Sequence, residues 1–458
     1  MTIDIAAVHA RIDERFDQDL ETLLELIRQP SVSATGEGIA ECAELFAGKM
    51  RALGLETELH DTGHHPIVVG RIGSGAPHFV LYGHYDVQPV GDLAEWRTPP
   101  FEPDIRDGAI WARGAGDNKG QWWAHLCALA AWQDVHGEPP PFTLTVICDG
   151  EDEIGGVATR AYIAANPEPF RGDFLLCADA STLGVDAPAL FLGCRGAIAI
   201  ELRARGPEFE WHSASYAGVL SNPAQRMVAA VAALGDGEGA VADPAFHAPR
   251  VPVDERLREY ARALPAGFLD DPVDFGVDRF VTGDPRGVMF FEPRICLTGI
   301  TGGYGGEGPH AAVPTSATAK FDVKLAAGQH PDQAERWFRE RLDAEGFDDI
   351  EVIVMSKCPG SEISPDHPLA ATAIAALEQV WGRPPVVFPS IGGGGIFGVF
   401  VDDLGMPCLI VPYGQHDLQE HSAQEHMSIE WFRQGIHVTA EILSRLPAAV
   451  AATATATA

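Results

Sequence analysis

The chain has 458 residues, 46% hydrophobic and 21% charged, the balance of a soluble globular protein long enough for two domains with separate cores. Acidic side chains outnumber basic ones 65 to 32, a formal charge of -33, which repels phosphate backbones and anionic lipid and argues against nucleic acid or a membrane as partner. The eight cysteines follow no zinc-finger or redox spacing, no uncharged apolar run reaches membrane-spanning length, and Met1-Thr2-Ile3-Asp4 opens no targeting pattern, so reduced thiols and a cytoplasmic location are expected.

Apolar residues Ile12, Phe16, Leu20, Leu23, Leu24 and Ile27 recur at three- and four-residue steps, which predicts an amphipathic helix stopped at Gln29-Pro30. A second helix is predicted over 39–53, with Gly54 as its terminator. Strands follow at 55–59, 67–72 and 79–82, and the last delivers Gly83-His84-Tyr85-Asp86-Val87-Gln88-Pro89. Positions two apart on a strand point the same way, so Asp86 is expected to orient the His84 imidazole for a metal. Residues 108–132 run through Arg113-Gly114-Ala115-Gly116-Asp117-Asn118-Lys119-Gly120 into an Ala- and Trp-rich helix, which puts Asp117 on a glycine-flanked turn. Apolar strands at 142–148 and 174–177 lead into Asp149-Gly150-Glu151-Asp152-Glu153 and Ala178-Asp179-Ala180. Buried strands that end in an acid or a histidine and alternate with helices predict an α/β fold with its site at the strand ends.

After Arg195-Gly196 the texture changes. Half-exposed strands fit 197–205 and 317–325, and helices fit 223–234, capped by Asn222, and 331–342. This predicts an inserted α+β domain over 197–356 between two parts, 1–196 and 357–458, of the first domain. Patterned segments resume at 367–381, 385–388, 408–412 and 428–446. The tail 447–458 opens on a helix-stopping proline and is low in complexity, so a frayed end is expected.

His84, Asp117, Glu153, Asp179 and His421, the last in Glu420-His421-Ser422-Ala423-Gln424-Glu425, make a set of two histidines and three carboxylates. Such a set suits a pair of borderline divalent ions, with one carboxylate bridging and positions left open for water and substrate. In order and wording these motifs resemble the di-zinc exopeptidase family of cytosolic dipeptidases, carnosinases, glutamate carboxypeptidase and N-acyl-amino-acid hydrolases. The resemblance runs from the first helix to about Leu446. It is closest to the dipeptidase and carnosinase branch, through Gly83 to Pro89, Pro100-Phe101-Glu102-Pro103, and Arg113 to Gly120.

The resemblance implies a mixed sheet flanked by helices, with the insert serving as lid and dimerisation domain. It implies that Asp117 bridges the two metals, that His84 and Asp179 complete one site and Glu153 and His421 the other, and that the Asp117-Asn118 peptide is cis. Asp152 takes the general-base position and Asp86 supports catalysis beside it. His212, in Trp211-His212-Ser213, is expected to stabilise the developing oxyanion in the partner subunit's site, hence a homodimer. Substrate contacts fall to Asn222, Lys324, Gly394 and Gly395. Zinc is the first choice of ion, with manganese or cobalt able to substitute.

Three positions depart from the family. Asp152 stands where it has glutamate, Lys324 where it has arginine, and Ile391-Gly392-Gly393-Gly394-Gly395-Ile396-Phe397 where a loop supplies an arginine and a serine. Lysine does not reproduce the bidentate fork of arginine. The expected activity is metal-dependent hydrolysis of an amide bond in a small substrate such as a dipeptide. The alternatives are an N-acyl or N-carbamoyl amidohydrolase whose substrate lacks the dipeptide carboxylate, and a metal-binding member with weakened turnover.

Overall fold

The computed structural model describes residues 3–393 and 396–456, with 452–456 as backbone only. Its main sheet has eight strands, in the spatial order Glu56–His60, Ile67–Ile72, Thr143–Asp149, His78–His84, Phe174–Cys177, Cys408–Ile410, Ala189–Phe191, Val386–Phe388. His78–His84 pairs in parallel with both neighbours, whereas Ile67–Ile72 runs antiparallel to Thr143–Asp149 and to Glu56–His60, so the sheet is mixed. The middle strands are buried on both faces, which is why they read as unbroken apolar runs rather than alternating ones. Helix Gly120–His136 packs on His78–His84 between helices Ile5–Arg28 and Ile429–Ala456.

A second sheet has four antiparallel strands, in the order Arg294–Gly302, Ser316–Lys324, Ala197–Arg205, Glu351–Cys358. Ala197–Arg205 alternates as read from its sequence, turning Ile198, Ile200 and Leu202 into a separate core with Met227, Phe321, Trp337 and Phe338. Arg294–Gly302 has no sequence signal because it is an edge strand, with Leu297 and Ile300 exposed on it. Between the helices of this unit, Leu257, Phe290 and Phe291 pack into the larger core instead.

The expected stop at Pro447 is not observed: helix Ile429–Ala456 runs through it. Proline removes one backbone donor, but Leu443 and Leu446 before it are buried and Ala449 and Val450 after it pack on the main core, so burial carries the helix past the lost bond.

Candidate active site

Three adjacent parallel strands bring the chemistry to one edge. Strand register sets His84 opposite Asp149 and Tyr82 opposite Cys177, so His84, the turn after Asp149 and Asp179 emerge side by side. Asp117 enters from the turn before helix Gly120–His136, across the cis Asp117-Asn118 peptide. Gly83 makes room for this turn: a Cβ there would sit 2.5 Å from Asn118 Oδ1 and 2.7 Å from Trp122. His421 arrives on the segment after Cys408–Ile410, which is fastened beside Asp117 by pairing of His426–Ser428 with Ala109–Trp111.

The Asp117 carboxylate is shared between two imidazoles. Oδ1 lies 3.1 Å from His84 Nε2 and Oδ2 lies 3.0 Å from His421 Nε2. His84 Nε2 is also 3.5 Å from Asp179 Oδ2, and His421 Nε2 is 3.2 Å from Glu153 Oε2. Two groups of potential ligands result, His84–Asp117–Asp179 and Asp117–Glu153–His421, each with its ligand atoms within 4.8 Å of one another. With Asp152 beside them, four carboxylates meet only two imidazoles, an excess of negative charge that divalent cations offset. The nitrogen and oxygen donors suit ions of borderline character.

A further layer holds these groups in place. His84 Nδ1 donates to the Asp86 carbonyl at 3.0 Å, which leaves Nε2 as the ligand atom. The Asp86 carboxylate accepts from the backbone N–H of Asp152 at 3.3 Å and of Glu153 at 3.1 Å, so one buried residue aligns both His84 and the acidic turn. Asp86 does not line the cavity and is a positioning residue. Asn118 Nδ2 donates to Asp179 Oδ1 at 3.0 Å, Gln88 Nε2 to Glu153 Oε2 at 2.9 Å, and Tyr82 Oη to Asp152 Oδ1 at 2.9 Å. Glu425 accepts from the N–H groups of Gly116 (3.1 Å) and Asp117 (3.2 Å) while its other oxygen pairs with the buried Arg113 at 2.7 Å.

The field follows from this packing. Burial opposes charge on His84, yet Asp179 and Asp117 more than reverse that and hold its imidazolium well above the ordinary range. Hydrogen bonds to Asp117 and Glu153 push His421 up to about 10. Burial also opposes ionisation of Asp117, but the two histidines win and keep its carboxyl below the usual range. Asp152 is driven well upward by burial, against the attraction of His84 and with the repulsion of Asp179 and Asp86, so its carboxylate has raised proton affinity.

The site faces a cavity of roughly 400 Å³, whose lining includes the polar Asp117, Asp152, Glu153, Asp179, Glu420 and His421 and the apolar Ile391, Phe397, Ile410 and Leu418. Of the residues expected here, His84, Asp117, Asp152, Glu153, Asp179 and His421 come together. His212 does not line the cavity; it is exposed on a two-stranded ribbon, where Nδ1 accepts from the N–H of Ala214. Asn222, expected at the substrate, caps helix Pro223–Leu234 through its side-chain oxygen and does not line the cavity. Lys324 Nζ lies 3.2 Å from Asp322 and 3.7 Å from a Cβ built on the cavity-lining Gly393. Gly394 and Gly395 lie outside the described residues. Sequence reasoning missed Tyr82, Asn118 and Glu425 as positioning groups. Each stands within a motif read from the sequence, but nothing local marks Glu425 as the partner of an arginine 312 positions away.

This fold and donor set define a two-metal hydrolase. The sequence pattern of Peptidase family M20/M25/M40 matches residues 80–445, and the chain belongs to that family. It is 25% identical over 466 residues to the Cys-Gly metallodipeptidase dug1 of Schizosaccharomyces pombe, covering 95% of this chain and 97% of that one. It is 25% identical over 456 residues to the Beta-Ala-His dipeptidase of Rattus norvegicus, covering 93% and 92%. The structure of an M20 family metallo-carboxypeptidase, Sso-CP2 from Sulfolobus solfataricus, matches with a TM-score of 0.88 at 28% identity, covering 94% of this chain and 99% of that one. The protein is accordingly an enzyme, a metal-dependent hydrolase of peptide bonds that works with two metal ions. Among the described residues, no helix is long and apolar enough to cross a membrane.

Proposed function

We propose that the enzyme cleaves the amide bond of a small substrate such as a dipeptide, acting in the cytoplasm as a homodimer with two ions, zinc by first choice. The observation that carries this reading is the division of the Asp117 carboxylate between the groups of His84 and His421. Asp117 would serve both ions, His84 and Asp179 would hold one, and Glu153 and His421 would hold the other; such ions would supply Lewis acidity for a carbonyl and for a water. Asp152 removes the proton of the attacking water and passes it to the leaving amine. Tyr82 engages one Asp152 oxygen, which leaves the second for the cavity that Asp152 lines.

His212 acts on the partner subunit's substrate, donating to the oxyanion as it forms. Support for pairing comes from the exposed apolar side chains near it, Phe209, Trp211 and Val219, and from Leu297 and Ile300 on the edge strand. Residues 197–356 serve as lid and dimerisation domain, and Lys324, Gly394 and Gly395 contact the substrate. The cysteines, six of the eight buried, support a reducing compartment.

A second reading is favoured by one observation. Among the described residues no arginine or lysine lines the cavity, and Ile391 stands there instead. That suits an N-acyl or N-carbamoyl substrate without a terminal carboxylate to bind. The test is a metal-supplemented assay over dipeptides, N-acyl amines and N-carbamoyl amines, the last two carrying no carboxylate. Chelator-sensitive turnover of dipeptides is expected. Turnover confined to the other two classes moves the assignment to the second reading, and no turnover by protein holding two ions refutes both.

A further inference from the structure

Glu420 is a cavity-lining carboxylate without a part in the chemistry above. Its neighbour His421 reaches Asp117 and Glu153, while Glu420 Oε1 accepts from Ser181 Oγ at 3.3 Å, two residues beyond Asp179. The carboxylate is thus tied to the segment that carries Asp179 while its neighbour reaches the other group of ligands, and the residue stays exposed. Both flanking residues, Gln419 (φ 52) and His421 (φ 64), take the left-handed conformation, which non-glycine residues rarely adopt. The backbone thus turns sharply on each side of Glu420.

Charge settles what this group meets. Asp117, Asp152, Glu153, Asp179 and Glu420 place five carboxylates on the cavity, and two divalent ions bring four positive charges, which leaves one negative charge over. Among the described residues no arginine or lysine lines the cavity itself, and Lys324, proposed above to contact the substrate, has its Nζ paired with Asp322 at 3.2 Å. A substrate carboxylate entering here meets a like charge and no fork to bind it, whereas an ammonium gains a charge-assisted hydrogen bond.

Resting on the reading of this cavity as the site of hydrolysis, we infer that the enzyme selects its substrate by an ammonium group received by Glu420 and has no need of a terminal carboxylate. The cationic group takes over the part that a carboxylate plays where an arginine is present. Amidated dipeptides and amides of other amine-bearing compounds are the matching class.

The test compares alanyl-glycine, its C-terminal amide and its N-acetyl derivative on zinc-loaded protein, with metal content measured for every variant. The amide is expected to be cleaved at least as well as the free acid, and the N-acetyl form about tenfold less well in kcat/KM, the scale of one charge-assisted hydrogen bond. Glu420→Gln should bring the ratio of amide to N-acetyl form close to one, through KM, and Glu420→Arg should turn the preference toward the free acid. Calorimetry on Asp152→Asn, which binds but turns over slowly, should rank the three ligands in the same order. A tenfold preference for the free acid, or a ratio unmoved by Glu420→Gln, overturns the inference while leaving the hydrolytic reading in place. No metal-dependent turnover of any of the three, with two ions bound, overturns the hydrolytic reading and the inference with it.

Discussion

Replacing Asp152 by asparagine removes a proton acceptor and changes little else. The backbone N–H groups of Asp152 and Glu153 still donate to Asp86, at 3.3 and 3.1 Å, and the amide oxygen can still accept from Tyr82 at 2.9 Å. Neither metal-ligand group includes Asp152, so both ions should stay. A positioned general base contributes about 10²–10⁴-fold, which is roughly 3–5 kcal/mol of barrier at about 1.4 kcal/mol per tenfold. Asp152→Asn should therefore lose about that factor in kcat with metal content and thermal midpoint close to wild type. Asp152→Glu extends the carboxylate by roughly one bond length, 1.5 Å, which loosens the Tyr82 bond but leaves the group in the cavity. Turnover within about tenfold of wild type is expected, less than the hundredfold that such a displacement can cost when nothing compensates. The assay is steady-state hydrolysis of a dipeptide alongside elemental analysis. If Asp152→Asn turns over within threefold of wild type while holding two ions, Asp152 is not the base and the reasoning fails.

Asp117→Ala should release both ions, because each group of ligands includes this carboxylate; one tightly held ion surviving in elemental analysis would contradict the shared role. His212→Ala and Asp117→Ala, each inactive, should together regain about a quarter of wild-type activity after subunit exchange, since random pairing makes half the dimers hybrids with one intact site. No recovery after proven exchange counts against action across the interface. Burial and the repulsion of Asp86 push Asp149 up to about 7, above its ordinary value of 3.8. A folded value raised above the unfolded one gives stability that is fully present below pH 3.8 and is lost as the pH rises through 7. Asp149→Asn should thus gain on wild type by a few kcal/mol between pH 4 and 8, measured by urea unfolding, and a pH-independent difference would refute the assignment.

What could be read from the sequence was what depends on local pattern. Strand Ile67–Ile72, strand Phe174–Cys177 and helix Pro223–Leu234 end where their apolar runs end. His84, Asp117, Glu153 and Asp179 follow a buried strand or stand on a glycine turn, whereas His421 has no such local mark and stood out only as part of the set. Less legible were elements whose stability comes from distant partners. Arg294–Gly302 is strand only because Ser316–Lys324 pairs with it, and the short strand His426–Ser428 exists through Ala109–Trp111. Asn222 shows the reverse limit: its capping role was plain from Pro223 beside it, whereas the substrate contact expected of it had no local signature. Pro447 misled because a backbone rule was applied without the burial that outweighs it.

The fastening of the His421 segment beside Asp117 also has a consequence in time. Glu425 lies 308 positions after the Asp117 N–H it accepts from, and His421 travels on the same stretch. Ribosomes add about 5–20 residues per second, so a growing chain carries Asp117 for roughly 15–60 s before its second histidine exists. Once Asp179 has been added, the nascent protein holds His84, Asp117, Glu153 and Asp179 without the group that completes the pair. A hydrolase assembled in this order is inert until the stretch that carries His421 and Glu425 has been made, and the synthesis of that stretch is what arms it.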